Sequence, residues 1–382
     1  MDIFSRLPSR RVHRIAVSTF FFLAGLCFSS WASRIPDIRL KLHLDSAGLG
    51  AVLLSLPVGL MTSLPLAGWL VTRFGSRPVA RFAAIAYACT LPLLGLSQAV
   101  WQLVASLFLF GMGGNLLNIS INTQAIGTEA LYQRTIMASY HGLWSLAGFS
   151  GAAIGTLMIN LGLLPYQHFL VITAAALLIV SVNSGHLLAA DEQTGSDQPL
   201  FVRPDRSIIN LGIIAFCSMI CEGAMFDWSG VYFQKVIQPG KGLVAIGYTA
   251  FMSTMAAGRF VGDWMATRWG IKKILQGSGL LTVSGLLIAI LFPWLGPAVF
   301  GFLLVGAGVS SVVPLVYSAA GRSKVLSPGV ALAAVSTIGY LGFLFGPPFI
   351  GFIAQAFNLR ISLGLVALLG SIIVIMAARL KT

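Results

Sequence analysis

Along this chain, long apolar runs alternate with short polar breaks. The runs fall at about 15–33, 47–71, 79–97, 99–123, 137–161 and 166–188, and again at 208–232, 243–266, 273–292, 297–319, 329–355 and 358–378. Most are near the roughly 20 residues that an α-helix needs to cross a hydrocarbon core about 30 Å thick. A transmembrane β-barrel would show short alternating segments instead. The pattern predicts an all-α membrane protein with twelve transmembrane helices in two pseudo-symmetric six-helix bundles. Between the sixth and seventh runs lies "AADEQTGSDQPLFVRPDRS", polar throughout. The expected domains are therefore 1–188, a cytoplasmic linker at 189–207, and 208–382.

The two halves repeat each other. "TRFGSR" from Thr72 returns as "TRWGIK" from Thr267, 195 positions later. At the same offset, "HGLWSLAGFSGAAIG" in the fifth run aligns with the glycine-studded "STIGYLGFLFGPPFI" in the eleventh. Trp31 and Trp228 close the first and seventh runs. Two halves in the same order predict a parallel repeat about an axis along the membrane normal.

Composition sharpens this picture. The chain is 57% hydrophobic and only 9% charged, against about 25% charged for soluble domains. The net charge of +13 would suggest nucleic acid in a soluble protein. Here the bases sit in short breaks between spans, so they read as topology and no nucleic-acid partner is expected. With the N-terminus inside, Arg10, Arg11, Arg14, Arg73, Arg77, Arg134, Arg206, Arg268, Lys272 and Arg379 all fall on the inner side. The outer breaks hold few: Arg34, Arg39, Lys41, Lys235, Lys241 and Arg360. Both termini are thus expected in the cytoplasm. The first apolar run is too long for a signal-peptide core and reads as an uncleaved span. Cys27, Cys89, Cys217 and Cys221 all lie in apolar runs and read as small fillers, with no metal site implied.

The paired loops and the two-half architecture resemble the major facilitator superfamily. Gly68, Arg73, Gly75 and Arg77 fit its loop pattern, as do Arg268, Gly270 and Lys272. The acidic position of that pattern is Thr72 in the first copy and Thr267 in the second, and Asp263 stands where the second copy would have its first glycine. "WASRIP" at Trp31–Pro36, "NISINTQAIGTEALYQRTIMASYHGLWSLAG" at Asn118–Gly148 and "CEGAMFDW" at Cys221–Trp228 resemble the YbjJ-like inner-membrane transporters, relatives of the fucose permease group. The resemblance implies a bacterial inner-membrane carrier, with Arg73, Arg77 and Arg268 in its gating loops. No phosphate loop and no hydrolase or zinc motif is present, so neither ATP-driven transport nor an enzyme is expected, and no cofactor.

Polar residues inside the spans are the candidate chemistry. Asn115, Asn118 and Asn122 share one helix face. That face either lines a solute cavity or bonds to a neighbouring helix. Glu222 lies deep in the seventh run and is a candidate proton carrier. Asp227 is five residues on, on the same side only if the helix breaks near Gly223; it is a candidate ligand or a surface charge. Arg259 and Asp263 are one turn apart and read either as a gating ion pair or as a static one. His141 suits proton coupling, or a bond to a helix drawn close by Gly148 and Gly155. Trp144 is placed to stack on a sugar face. Trp31 and Trp228 could do the same, although their places at span ends suit an interfacial aromatic belt.

The expected function is secondary transport of a small polar, sugar-like solute by alternating access, coupled to protons and carried out by a monomer in the lipid bilayer. Proton-driven efflux is the alternative. A membrane sensor that has lost transport is a further one, disfavoured because no inner loop is long enough for an output domain.

Overall fold

The computed structural model describes residues 9–132, 136–189, 206–321 and 328–380. The linker expected at 189–207 lies outside them except at its ends. Among the described residues there is no strand. The helices are α1 (Ser9–Lys41), α2 (Ser46–Leu53), α3 (Ser55–Thr62), α4 (Leu64–Phe74), α5 (Ser76–Leu96), α6 (Val100–Tyr132), α7 (Met137–Asn160) and α8 (Pro165–Asn183). They continue with α9 (Arg206–Tyr232), α10 (Ile246–Trp269), α11 (Ile271–Leu291), α12 (Leu295–Val309), α13 (Val312–Ala320), α14 (Pro328–Ala356) and α15 (Leu359–Ala378).

Eleven candidate spans meet the length and apolarity needed to cross a membrane. One of them, Ser46–Phe74, joins α2, α3 and α4; another, Leu295–Ala320, joins α12 and α13. The helix that falls short is α10. At 24 residues it is long enough, but Arg259, Asp263 and Arg268 lower its apolarity. The α12–α13 break at Ser310 and Ser311 has a local cause. Pro314 has no N–H to donate to the carbonyl four residues back, at Ser310.

The chain forms two compact units. The first comprises Met1–Leu42 and Ser55–Thr194; the second comprises His43–Leu54 and Gly195–Thr382. In the first unit, α1 lies along α7 over a row of small residues. Ser29 Oγ donates to the carbonyl of Gly148, and a Cβ at Gly151 would meet Ser29 at 3.0 Å. Gly59 on α3 and Gly111 on α6 each sit on the other helix's backbone, against the carbonyls of Phe108 and Leu56. Close backbone approach of this kind is how helices associate where no hydrophobic force separates lipid from protein.

The second unit uses the same device. Gly306 on α12 sits on the carbonyl of Phe251 on α10, and Thr254 Oγ1 donates to the Leu303 carbonyl at 2.7 Å. In the same unit α2 packs on α14, where Gly50 meets Gly351 and the Ser46 N–H donates to Gln355 Oε1 at 3.2 Å.

The repeated loops have the same geometry. Gly75 takes φ 86° and ψ 156°, and Gly270 takes φ 82° and ψ 147°. A left-handed φ of this kind strains any residue with a Cβ, so a glycine at this point of "TRFGSR" and "TRWGIK" lets a helix turn straight into the next. Arg73 stacks over Trp69 at 5.8 Å, and Arg268 over Trp264 at 5.8 Å. Arg77 Nη2 donates to the Gly185 carbonyl at 2.8 Å, and Lys272 Nζ to the Leu380 carbonyl at 3.3 Å. Each base thereby ties the start of its unit's third span to the end of its sixth.

Candidate functional site

Glu222 stands near the middle of the 32-residue span Arg206–Ile237. Its Oε1 accepts a hydrogen bond from Arg259 Nη2 on α10 at 3.1 Å, forming an ion pair whose side chains are 6% and 14% exposed respectively. Two opposite charges so far from water need each other: removing either leaves an uncompensated buried charge. Tyr317 on α13 and Tyr340 on α14 lie within the electrostatic reach of Glu222. Beside Arg259 a void of about 10 Å³ opens between Gly262, Ser310, Ser311 and Pro314. That is room for about one water. Ser311 Oγ donates across it to the Gly258 carbonyl at 3.3 Å.

One partner of Arg259 is Glu222, 37 positions away in the chain; the expected Arg259–Asp263 pairing falls on a side chain outside the described residues. Helix α9 runs unbroken through Gly223. Residues five apart are about 140° apart around a regular helix, so Asp227 faces away from the Glu222 side and is half-buried.

In the first unit the three asparagines divide. Asn115 is buried, and its Nδ2 donates to Ser63 Oγ at 2.9 Å, a bond between helices. Asn118 is exposed, and Asn122 Nδ2 donates to its Oδ1 at 2.9 Å. His141 on α7 is exposed and meets the edge of the Phe21 ring at 5.4 Å. Trp144, half-buried, lies 6.0 Å from Phe28. Trp31 and Trp228 are 1% and 0% exposed. Such burial takes both out of an aromatic belt.

The repeat links these residues. Asn122 and Tyr317 are 195 positions apart, as are His141 and Ser336, and Asn115 and Ser310. Asn122, half-buried in the first unit, thus holds the place that Tyr317 holds within reach of Glu222 in the second, and buried Asn115 the place of Ser310 beside Arg259. Tyr317 and Tyr340 were not singled out from sequence, because a tyrosine in a glycine-rich span looks like filler. Carrying Asn122 across the offset would have found the first of them.

A second buried cluster was also missed. Arg34, 2% exposed, donates to Asp37 Oδ2 at 2.7 Å, to the Leu163 carbonyl at 2.8 Å and to His168 Nδ1 at 3.3 Å. It clasps the end of α1 to the start of α8. Its signal was weak, since an arginine at a span end reads first as a loop charge.

Long apolar helices that bury polar side chains at mid-span are the build of a multi-pass membrane protein. The chain belongs to the Major Facilitator Superfamily, whose family model matches residues 17–324. It is 34% identical to an uncharacterised MFS-type transporter of Yersinia pestis, over 93% of this chain and 92% of that one. In fold it is similar to a bacterial homologue of the human lysosomal transporter Spinster in its inward-facing, occupied conformation. There the TM-score is 0.78 at 13% identity, covering 98% of this chain and 97% of that one. It is similar also to the Escherichia coli fucose:proton symporter FucP, with TM-score 0.65 at 17% identity, covering 98% of this chain and all of the other. The protein is therefore a multi-pass membrane transporter of the superfamily, and not an enzyme.

Proposed function

We propose that this transporter carries a small polar, sugar-like solute across the bacterial inner membrane by alternating access, coupled to protons through Glu222. The observation that carries the reading is the Glu222–Arg259 pair at mid-span. Protonating Glu222 cancels its charge and leaves Arg259 with donors to place. A solute rich in hydroxyl oxygens supplies acceptors for them. Losing the solute returns Arg259 to the carboxylate, which must then release its proton. Binding of proton and solute thereby favour each other, as symport requires. One charge moved through the membrane potential is worth about 2.3 kcal/mol per 100 mV, enough to drive appreciable accumulation through a single site. Asn118, Asn122, His141 and Trp144 supply the solute contacts of the first unit, and the basic ends of the spans set both termini in the cytoplasm.

The fucose:proton symporter performs chemistry of this class on the same fold, which is compatible with the reading and assigns no substrate. The test is Glu222→Gln, which keeps shape and hydrogen bonding but cannot ionise. In liposomes it abolishes uptake driven by a pH gradient while leaving solute exchange largely intact. Accumulation that survives the substitution removes Glu222 from the coupling role and turns attention to His141.

A further inference from the structure

The first turns of α1 hold Arg10, Arg11 and Arg14, with no acidic residue in the first turn. Arg10 and Arg14 are one turn apart, so like charges face each other, and the start of a helix adds partial positive charge. Both guanidinium groups lie against one ring, that of Tyr132 on α6, at 5.5 and 5.4 Å from its centroid. Among the described residues the ion pairs are Arg34–Asp37 and Arg259–Glu222, and neither reaches this cluster. Glu129, one turn before Tyr132, is engaged elsewhere. Its Oε2 accepts from the backbone N–H groups of Ile136 and Met137 at 2.7 and 2.9 Å. Between the three arginines, Ile15 and Tyr132 lies an open surface hollow of about 510 Å³.

We propose that this pocket binds the phosphate of an anionic phospholipid headgroup. Guanidinium forks match phosphate oxygens in pairs and hold them more firmly than a point charge does. Tyr132 lies against two of the guanidinium groups; Arg14 also donates through Nη2 to Ser139 Oγ at 3.4 Å, which leaves its other N–H groups for a phosphate. The third guanidinium reaches the hollow from the same turn of helix. The residue after Arg14 favours lipid over a soluble phosphate. Ile15 is exposed and opens the apolar course of α1, so the pocket lies at headgroup depth with an apolar wall where an acyl chain would run. Basic pockets at span ends are general sites for such headgroups. The site lies within the first unit and does not depend on which solute the transporter carries.

The test uses the full-length protein purified in detergent. Phosphatidylglycerol, phosphatidylcholine and inorganic phosphate are titrated separately, with bound lipid counted by native mass spectrometry and stability followed by melting temperature. Phosphatidylglycerol is expected to bind and raise the melting temperature, phosphatidylcholine to do neither, and millimolar phosphate to leave the bound lipid in place. The double variant Arg10→Gln with Arg14→Gln should weaken phosphatidylglycerol binding by about 25-fold, at about fivefold for each arginine removed. Lys272→Gln with Lys273→Gln, a basic pair in the other unit, should leave it unchanged. Without lipid the double variant should melt somewhat below the parent, because the lost ring contacts are only partly offset by removing like charges; if it fails to fold, Arg11→Gln alone reads the fivefold step. Equal binding of phosphatidylcholine, unchanged binding by the arginine variants, or an equal loss in the lysine variant overturns the proposal. Displacement of the lipid by phosphate overturns the lipid assignment in favour of a small-anion site.

Discussion

Arg77 ties the start of α5 to Gly185, and Lys272 ties the start of α11 to Leu380. Donor and acceptor have both moved by 195 positions from the first unit to the second. The turn glycines, the arginine stacked on its tryptophan and the glycine seated on a neighbouring carbonyl have moved with them. The interiors, by contrast, have parted. Where the first unit buries an amide against a hydroxyl, Asn115 on Ser63, the second has Ser310 beside Gly258. Next to that glycine it places Arg259, which reaches Glu222. The shared features are those that hold helices at fixed spacing and turn the chain tightly. The differing ones are the charges and hydrogen-bonding groups of the interior. The units therefore have one frame between them but different ion pairs, Arg34–Asp37 at the end of α1 in the first and Arg259–Glu222 at mid-span in the second.

The largest effect expected of this difference comes from breaking the ion pair. Arg259→Ala should destabilise the protein by about 3–5 kcal/mol, because Glu222 is left charged and buried. Adding Glu222→Gln to it should recover much of that loss. Melting of the single and double variants in detergent measures both, and equal destabilisation by the two would mean that the pair is not the source.

Next come the turn glycines. Gly75→Ala and Gly270→Ala should each cost about 1–2 kcal/mol, since both take a left-handed φ that a Cβ disfavours. Matching losses of melting temperature sharpen the equivalence of the loops; a loss at one alone breaks it. Asn115→Ala should cost about 0.5–1.5 kcal/mol of stability with solute affinity unchanged, because its bond is to Ser63. Asn118→Ala should do the reverse, weakening solute binding roughly 2- to 12-fold in a direct binding assay while sparing the melting temperature. Smallest is the clamp. Arg77→Gln and Lys272→Gln should each cost about 0.2–1 kcal/mol, as expected for partly exposed charged donors, and by similar amounts.

Much of the fold was legible because hydrocarbon is an unforgiving solvent for backbone. A run of apolar residues must become a helix there, as no other local structure satisfies its N–H and C=O groups. Span positions, the repeat and the loop glycines followed from that. Helix α10 was legible as the run at 243–266, although its charges dilute its apolarity. The site was less legible. Glu222 stood out by its depth and Arg259 by its place in a span one turn from Asp263, but that the two belong together could not be read from the sequence.

The sequence by itself determined the spans, their duplication, the superfamily and the turn geometry at Gly75 and Gly270. These rest on periodicity, local sterics and the cost of unsatisfied backbone, which act over a few residues. Tertiary structure alone decided that Arg259 meets Glu222, that the asparagine face splits into a tie and an open pair, that Trp31 and Trp228 are buried, and that Arg34 clasps His168 and Leu163. Each of those depends on which helix packs against which and at what rotation. A rotation of α10 of about 100°, one residue's worth, would carry Arg259 off the face that meets α9 without changing a letter of the apolar pattern.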